Sequence, residues 1–122
     1  MQKYLFAALL LAATAFSYSA YADGDAAAGK QVFTQCTLCH GTKKGENKIG
    51  PSLWDVYGRK SASVEGYSYS DAVKKLNVTW DEDTLMKWLD NPSAMAPGTK
   101  MVFRLPSEKQ RKDVIAYLKT LH

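Results

Sequence analysis

The chain has 122 residues and 16 Lys+Arg against 12 Asp+Glu, a formal net charge of +4. That length argues for one domain, and basic residues scattered without a dense stripe argue against a nucleic-acid binder. Two cysteines are too few for the disulfide framework of a small secreted scaffold.

Met1, Gln2 and Lys3 open the chain with a positive charge, residues 4–16 are almost wholly apolar, and the segment ends Ala20-Tyr21-Ala22. A charged start, a short apolar run and an A-x-A ending predict a secretory signal peptide over 1–22, cleaved after Ala22. The alternative is an uncleaved membrane anchor, but the run is short of the roughly 20 residues that span a bilayer. The remaining 100 residues, 23–122, form the expected domain with a net charge of +3.

Four stretches read as helical. Asp25 caps a helix from about residue 26 into the cysteine region, with Gly29, Val32 and Phe33 at helical spacing. Ser70 and Asp71 open a short helix to about Leu76. Asp81 caps a third, whose first turn holds Glu82 and Asp83, where the helix dipole favours negative charge. Leu85, Trp88 and Leu89 share one face of it, and Pro92 ends it. The last helix follows an S-x-x-Q capping box, Ser107 to Gln110, with Val114, Leu118 and Leu121 recurring at i, i+4 and i+7. No alternating run reads as a strand. The 30 residues of 41–70 would be an unusually long loop for a compact domain, unless they wrap a bulky apolar cofactor.

Cys36-Thr37-Leu38-Cys39-His40 is C-x-x-C-H, the c-type haem attachment signature. Two thiols one helical turn apart can add to the two vinyl groups on one edge of the macrocycle. The histidine that follows then faces the iron. The competing readings are weaker. A redox dithiol wants a strand–helix setting that is absent here. A zinc site needs four ligands, and the mature chain offers only Cys36, Cys39, His40 and His122 of the soft types. A bare disulfide remains. For the sixth iron ligand the candidates are Met86, Met95, Met101 and His122. Met86 sits within a helix, and a terminal histidine is more often exposed. Met95 and Met101 both fall in the Pro/Gly loop 91–103, and periodicity does not choose between them.

Further stretches carry a resemblance. They are Gly50-Pro51-Ser52-Leu53, Tyr57-Gly58-Arg59-Lys60, Gly66-Tyr67-Ser68-Tyr69, Trp80, Asn91-Pro92, Pro97-Gly98-Thr99-Lys100-Met101-Val102-Phe103 and Ile115-Ala116-Tyr117-Leu118. With the C-x-x-C-H they make residues 24–121 resemble the class I cytochromes c, close to mitochondrial cytochrome c and its short bacterial relatives. The resemblance implies an all-α fold of about four helices and long loops wrapped around one covalent haem c. It implies Met101 as the iron-binding methionine with His40, and the Pro51 carbonyl as acceptor for the His40 ring. It implies that Arg59, Tyr69 and Trp80 hold a buried haem propionate. Leu53, Thr99 and Phe103 line or shield the haem, and Gly29 and Tyr117 lie where the first and last helices cross.

Two positions depart from the family pattern. Trp88 stands where tyrosine is usual, so the hydroxyl bond to the methionine sulfur is lost and an indole N–H is its available substitute. Val73 stands at a position often occupied by asparagine near the propionates.

The implied function is a soluble one-electron carrier of a respiratory or photosynthetic chain, secreted across the inner membrane into the bacterial periplasm. It would be a monomer and not an enzyme, binding no nucleic acid. Expected partners dock transiently: a quinol-oxidising cytochrome complex as donor, and an oxidase, reaction centre or peroxidase as acceptor. Lys44, Lys48, Lys87 and Lys100 would ring the exposed haem edge near Cys39 and Phe103 and steer that docking. A haem peroxidase-like enzyme is the rival, but it needs distal acid–base residues and the mature chain has no second internal histidine.

Overall fold

The computed structural model describes residues 8–13 and 24–122. The signal-peptide reading of 1–22 lies largely outside the described residues, and residues 8–13 form no regular element. Among the described residues no helix is long and apolar enough to cross a membrane.

The architecture is helical. Helix α1 spans Ala26–Phe33 and continues as a 3₁₀ turn, Thr34–Leu38; α2 is Asp71–Lys74, α3 Glu82–Asp90, α4 Pro92–Met95 and α5 Glu108–Leu118. Each start is written in a side chain that accepts from an orphan N–H of the first turn. Asp25 accepts from Ala27 and Ala28, Ser70 from Val73, Asp81 from Thr84, and Ser107 from Gln110.

Two expectations change. The reciprocal capping box forms at Asp81 and Thr84, whereas at Ser107 only the Ser107 half is made. Helix α4 brings the number of α-helices among the described residues to five. Pro92 ends α3 but also begins α4, because its fixed φ and missing N–H suit the first helical position. Asn91 is therefore both the C-cap of α3 and the N-cap of α4. Met95 closes a helix rather than lying in an open loop.

The main packing contact sets α1 across α5, and α3 also rests on α5. The crossing is close because Gly29 lacks a side chain: a Cβ there would sit 1.9 Å from the Asp113 carbonyl oxygen. Beside it the Phe33 and Tyr117 rings meet at 5.0 Å, so Tyr117 packs on Phe33 while Gly29 faces the backbone at Asp113 and Val114. Asp113, buried on α5, accepts from the Asp25 N–H at 2.9 Å and from Lys109 Nζ at 2.6 Å. It ties the start of α1 to the middle of α5. Phe33, Val56, Trp80, Leu85, Leu89, Leu105, Val114, Ile115 and Leu118 form the core.

Among the described residues there is no strand, only isolated bridges at His40–Asn47 and Lys60–Thr79. Residues 41–70 wrap the molecule without helix. Their backbone groups find partners in turns, in contacts with distant backbone and in side chains instead of a ladder. Asn47 accepts from the Ser52 N–H and donates to the Glu65 carbonyl, and Ser52 donates to the Lys43 carbonyl.

Candidate functional site

The loop 41–70, the helices and the segment after α4 enclose a mostly apolar cavity of about 380 Å³. That is the size class of cofactor sites. Its walls include Cys36, Cys39, His40, Pro51, Leu53, Arg59, Tyr69, Val73, Trp80, Trp88, Thr99, Met101 and Phe103. Every pocket residue named from the sequence therefore faces one space.

The cysteines sit at the end of the first helical segment, Cys36 in the 3₁₀ turn and Cys39 as its C-cap. They are not joined to each other in a disulfide. Burial pushes the Cys36 thiol up to about 11, with Cys39 adding to the rise. A thiol held that far above neutrality is a poor nucleophile, which disfavours a dithiol redox centre. Nor do the described residues contain a group of three His, Cys, Asp or Glu able to hold a bare metal ion.

His40 lies 2.7 Å through Nδ1 from the Pro51 carbonyl oxygen. A carbonyl only accepts, so Nδ1 carries the proton and Nε2 keeps its lone pair. Burial lowers the imidazole's affinity for a second proton; the Pro51 bond opposes this and the Arg59 charge adds to it. A neutral ring with a free Nε2 is the form that binds metal. The ring can occupy this position because residue 50 is glycine: a Cβ would fall 2.4 Å from His40 Cε1.

Met101 follows the turn at Gly98 and Thr99, and its N–H donates to Thr99 Oγ1 at 3.3 Å. Trp88 on α3 donates its indole N–H to Met101 Sδ at 3.3 Å. Its ring packs on Trp80 at 5.3 Å between centroids. The substitute donor considered for the missing tyrosine hydroxyl is thus in place. Met95, the rival methionine, lines a separate shallow groove with Asp71, Lys75 and Pro97. Met86 and His122 do not line the cavity.

Among the described residues no carboxylate lines the cavity, while two cations, Arg59 and Lys100, do. Arg59 Nη1 donates to the Trp54 carbonyl at 2.6 Å, but its buried Nε has no partner. The Tyr69 hydroxyl accepts from the Val64 N–H, leaving its own hydrogen to donate. A buried guanidinium nitrogen without an acceptor costs free energy unless an anion meets it. A haem propionate supplies such an anion, so the donor set fits the group. Val73 is buried and adds no polar atom to that wall.

The mouth of the cavity carries Leu38, Ile49, Val102 and Phe103, all exposed. Lys100 donates to the Ser68 carbonyl at 2.7 Å and lies over the Tyr67 ring. Tyr67 in turn donates to the Ile49 carbonyl. Lys48 reaches the Thr37 carbonyl and Glu46. Lys44 and Lys87 are exposed. Gly50 as a steric requirement was not singled out from the sequence, because it depends on where the His40 ring folds. Lys100, expected at the haem edge, lines the cavity as a second cation.

A helical shell with the two thiols of a C-x-x-C-H, a histidine with a free Nε2 and a methionine around one apolar cavity is the arrangement of a class I cytochrome c. The chain belongs to the cytochrome c family, whose model matches residues 26–122. It is 49% identical over 117 residues to cytochrome c2 of Rhodomicrobium vannielii, covering 94% of each chain. It is 52% identical over 101 residues to cytochrome c of Gibberella zeae, covering 80% of this chain and 95% of that one. Among solved structures it is similar to cytochrome cH from Methylobacterium extorquens, with 46% identity, a TM-score of 0.74, and coverage of 80% and 99% of the two chains. The protein is an electron carrier with covalently bound haem c.

Proposed function

We propose that Cys36 and Cys39 carry the haem thioethers and that His40 Nε2 and Met101 Sδ are the axial iron ligands. What supports this is that each candidate ligand lines one cavity and is held there by a hydrogen bond of its own. Pro51 fixes the His40 tautomer with Nε2 free, and Trp88 fixes the Met101 sulfur, in the same cavity. When bound, the haem supplies one reversible electron between its ferric and ferrous states. The chain's residues do the rest. Arg59 and Tyr69, beside Trp80, would hold and neutralise a propionate. Leu53, Val73, Trp80 and Leu85 exclude water. Held by His40 and Met101, the iron would keep no position open for a substrate.

Residues 1–22 are proposed as a signal peptide removed after Ala22, leaving 23–122 in the bacterial periplasm. The names of the cytochrome c2 relatives support a soluble carrier of a respiratory or photosynthetic chain. Its donor would be a quinol-oxidising cytochrome complex, its acceptor an oxidase, reaction centre or peroxidase. Lys44, Lys48, Lys87 and Lys100 around the apolar mouth would steer transient docking.

The test is a redox titration with visible spectroscopy on purified holoprotein and on Met101→Ala. The expected result is a far-red sulfur-to-iron band in the ferric wild type, absent from the variant, together with a lower potential. Survival of the band in Met101→Ala would transfer the ligand role to another methionine.

A further inference from the structure

The segment that carries Met101 is fastened downstream by a device outside the haem pocket. Val102 and Phe103 are 73% and 39% exposed, so packing does not hold the chain just after the methionine. The first firm anchor comes at residues 104–106. The Leu105 N–H donates to the Leu89 carbonyl at 2.7 Å, and Arg104 Nε donates to the Asp90 carbonyl at 2.9 Å. Those two carbonyls belong to the last turn of α3, where no intrahelical donor remains. Arg111 then reaches from α5, with its side chain 12% exposed. Its Nη1 donates to the Leu105 and Pro106 carbonyls at 2.8 and 2.7 Å and lies 3.4 Å from Asp90 Oδ1. One guanidinium thus joins α5, the segment after Met101 and the end of α3. The same α3 carries the Trp88 donor to Met101 Sδ.

We propose that Arg111, assisted by Arg104, is a positioning residue for Met101: it closes the downstream end of the methionine-bearing segment onto α3 and keeps the sulfur from swinging away. It touches neither haem nor sulfur and acts through residues 104–106. Hydrogen bonds from a charged donor are the strong ones, and the Arg111 side chain that makes three of them is mostly buried. Releasing them leaves the Leu105 N–H to Leu89 carbonyl bond as the one downstream anchor of the Met101 segment named above. The population in which the iron's sixth position is open then rises. An exogenous ligand that needs that position binds with an apparent affinity proportional to the open fraction.

The inference rests on Met101 being the axial ligand, and the experiment separates the two. Ferric holoprotein is titrated with imidazole, followed by visible spectroscopy, in wild type, Arg111→Met, Arg104→Met and Asp113→Asn. Arg111→Met keeps the apolar stem and removes the donors. Arg104→Met removes one exposed contact and threatens folding least. Asp113→Asn weakens the α1–α5 junction without touching the segment.

Imidazole is expected to bind roughly tenfold tighter or more to Arg111→Met and a few-fold tighter to Arg104→Met. Asp113→Asn should stay within about twofold of wild type, because global unfolding populates too few molecules to matter. Equal affinities in wild type and both arginine variants, or an equal gain in Asp113→Asn, would overturn the clamp. If Arg111→Met does not fold, Arg104→Met decides alone: no gain there refutes the proposal. A wild type lacking the far-red band would instead refute Met101 ligation itself.

Discussion

Trp88→Phe isolates the least usual contact of the site. The substitution keeps an aromatic ring against Trp80 and removes only the indole N–H that reaches Met101 Sδ at 3.3 Å. That N–H draws electron density from the sulfur, which weakens donation to the iron. Weaker donation disfavours the electron-poor ferric state, so losing the bond should lower the reduction potential. The size follows from the bond. A net hydrogen bond is worth about 0.5–1.5 kcal/mol, and only the part that differs between the two oxidation states appears in the potential. At 59 mV per tenfold change for one electron, a differential of about 0.5–1 kcal/mol gives a fall of roughly 20–40 mV. Spectroelectrochemical titration of wild type, Trp88→Phe and Trp88→Tyr reads it. The tyrosine variant retains a donor at the ring tip and should lie nearer to wild type. An unchanged or higher potential in Trp88→Phe would refute the assignment of this bond to tuning the sulfur.

Gly29→Val should destabilise the holoprotein by about 1–3 kcal/mol or more in guanidinium unfolding, since a Cβ 1.9 Å from the Asp113 carbonyl forces α1 off α5; a gain in stability from better helix propensity would contradict the close crossing. The Asp113 carboxyl is held below its usual range by the Lys109 ammonium and then by the Asp25 N–H. Its contribution should be complete above the unfolded value of about 4 and fade as pH falls through the lower folded value. The stability gap between wild type and Asp113→Asn should therefore narrow below about pH 4, and a gap that widens there would reverse the sign. Electron transfer to an acidic redox partner should slow roughly tenfold or more from low to high ionic strength, as read by stopped flow; a flat response would remove the lysines from steering. Apoprotein lacking the haem should show little helical circular dichroism, because the cavity lies inside the core; a cooperatively melting helical apoprotein would contradict that.

Much of the fold was legible because helix starts are local chemistry. Asp25, Ser70, Asp81 and Ser107 each cap the helix expected of them. The missed helix, α4, is four residues long, and Pro92 signals a stop and a start with the same ring. The His40–Pro51 contact and the Trp88 donor were anticipated through family resemblance and are present as hydrogen bonds. What the sequence could not carry were relations made only in three dimensions. Gly50 is needed because of where the His40 ring lies. Arg111 matters because its α5 position meets the end of α3 and the segment after Met101. Such contacts join residues five to 21 apart with no periodic signature.

The most direct measurement is mass spectrometry of the purified protein after acid-acetone extraction and proteolysis. The haem should stay with the polypeptide and be found, one per chain, on the peptide spanning residues 36–40 with neither thiol free. Haem released into the acetone, or a Cys36/Cys39 peptide recovered with both thiols unmodified, would contradict covalent attachment at these cysteines and with it the assignment of the site.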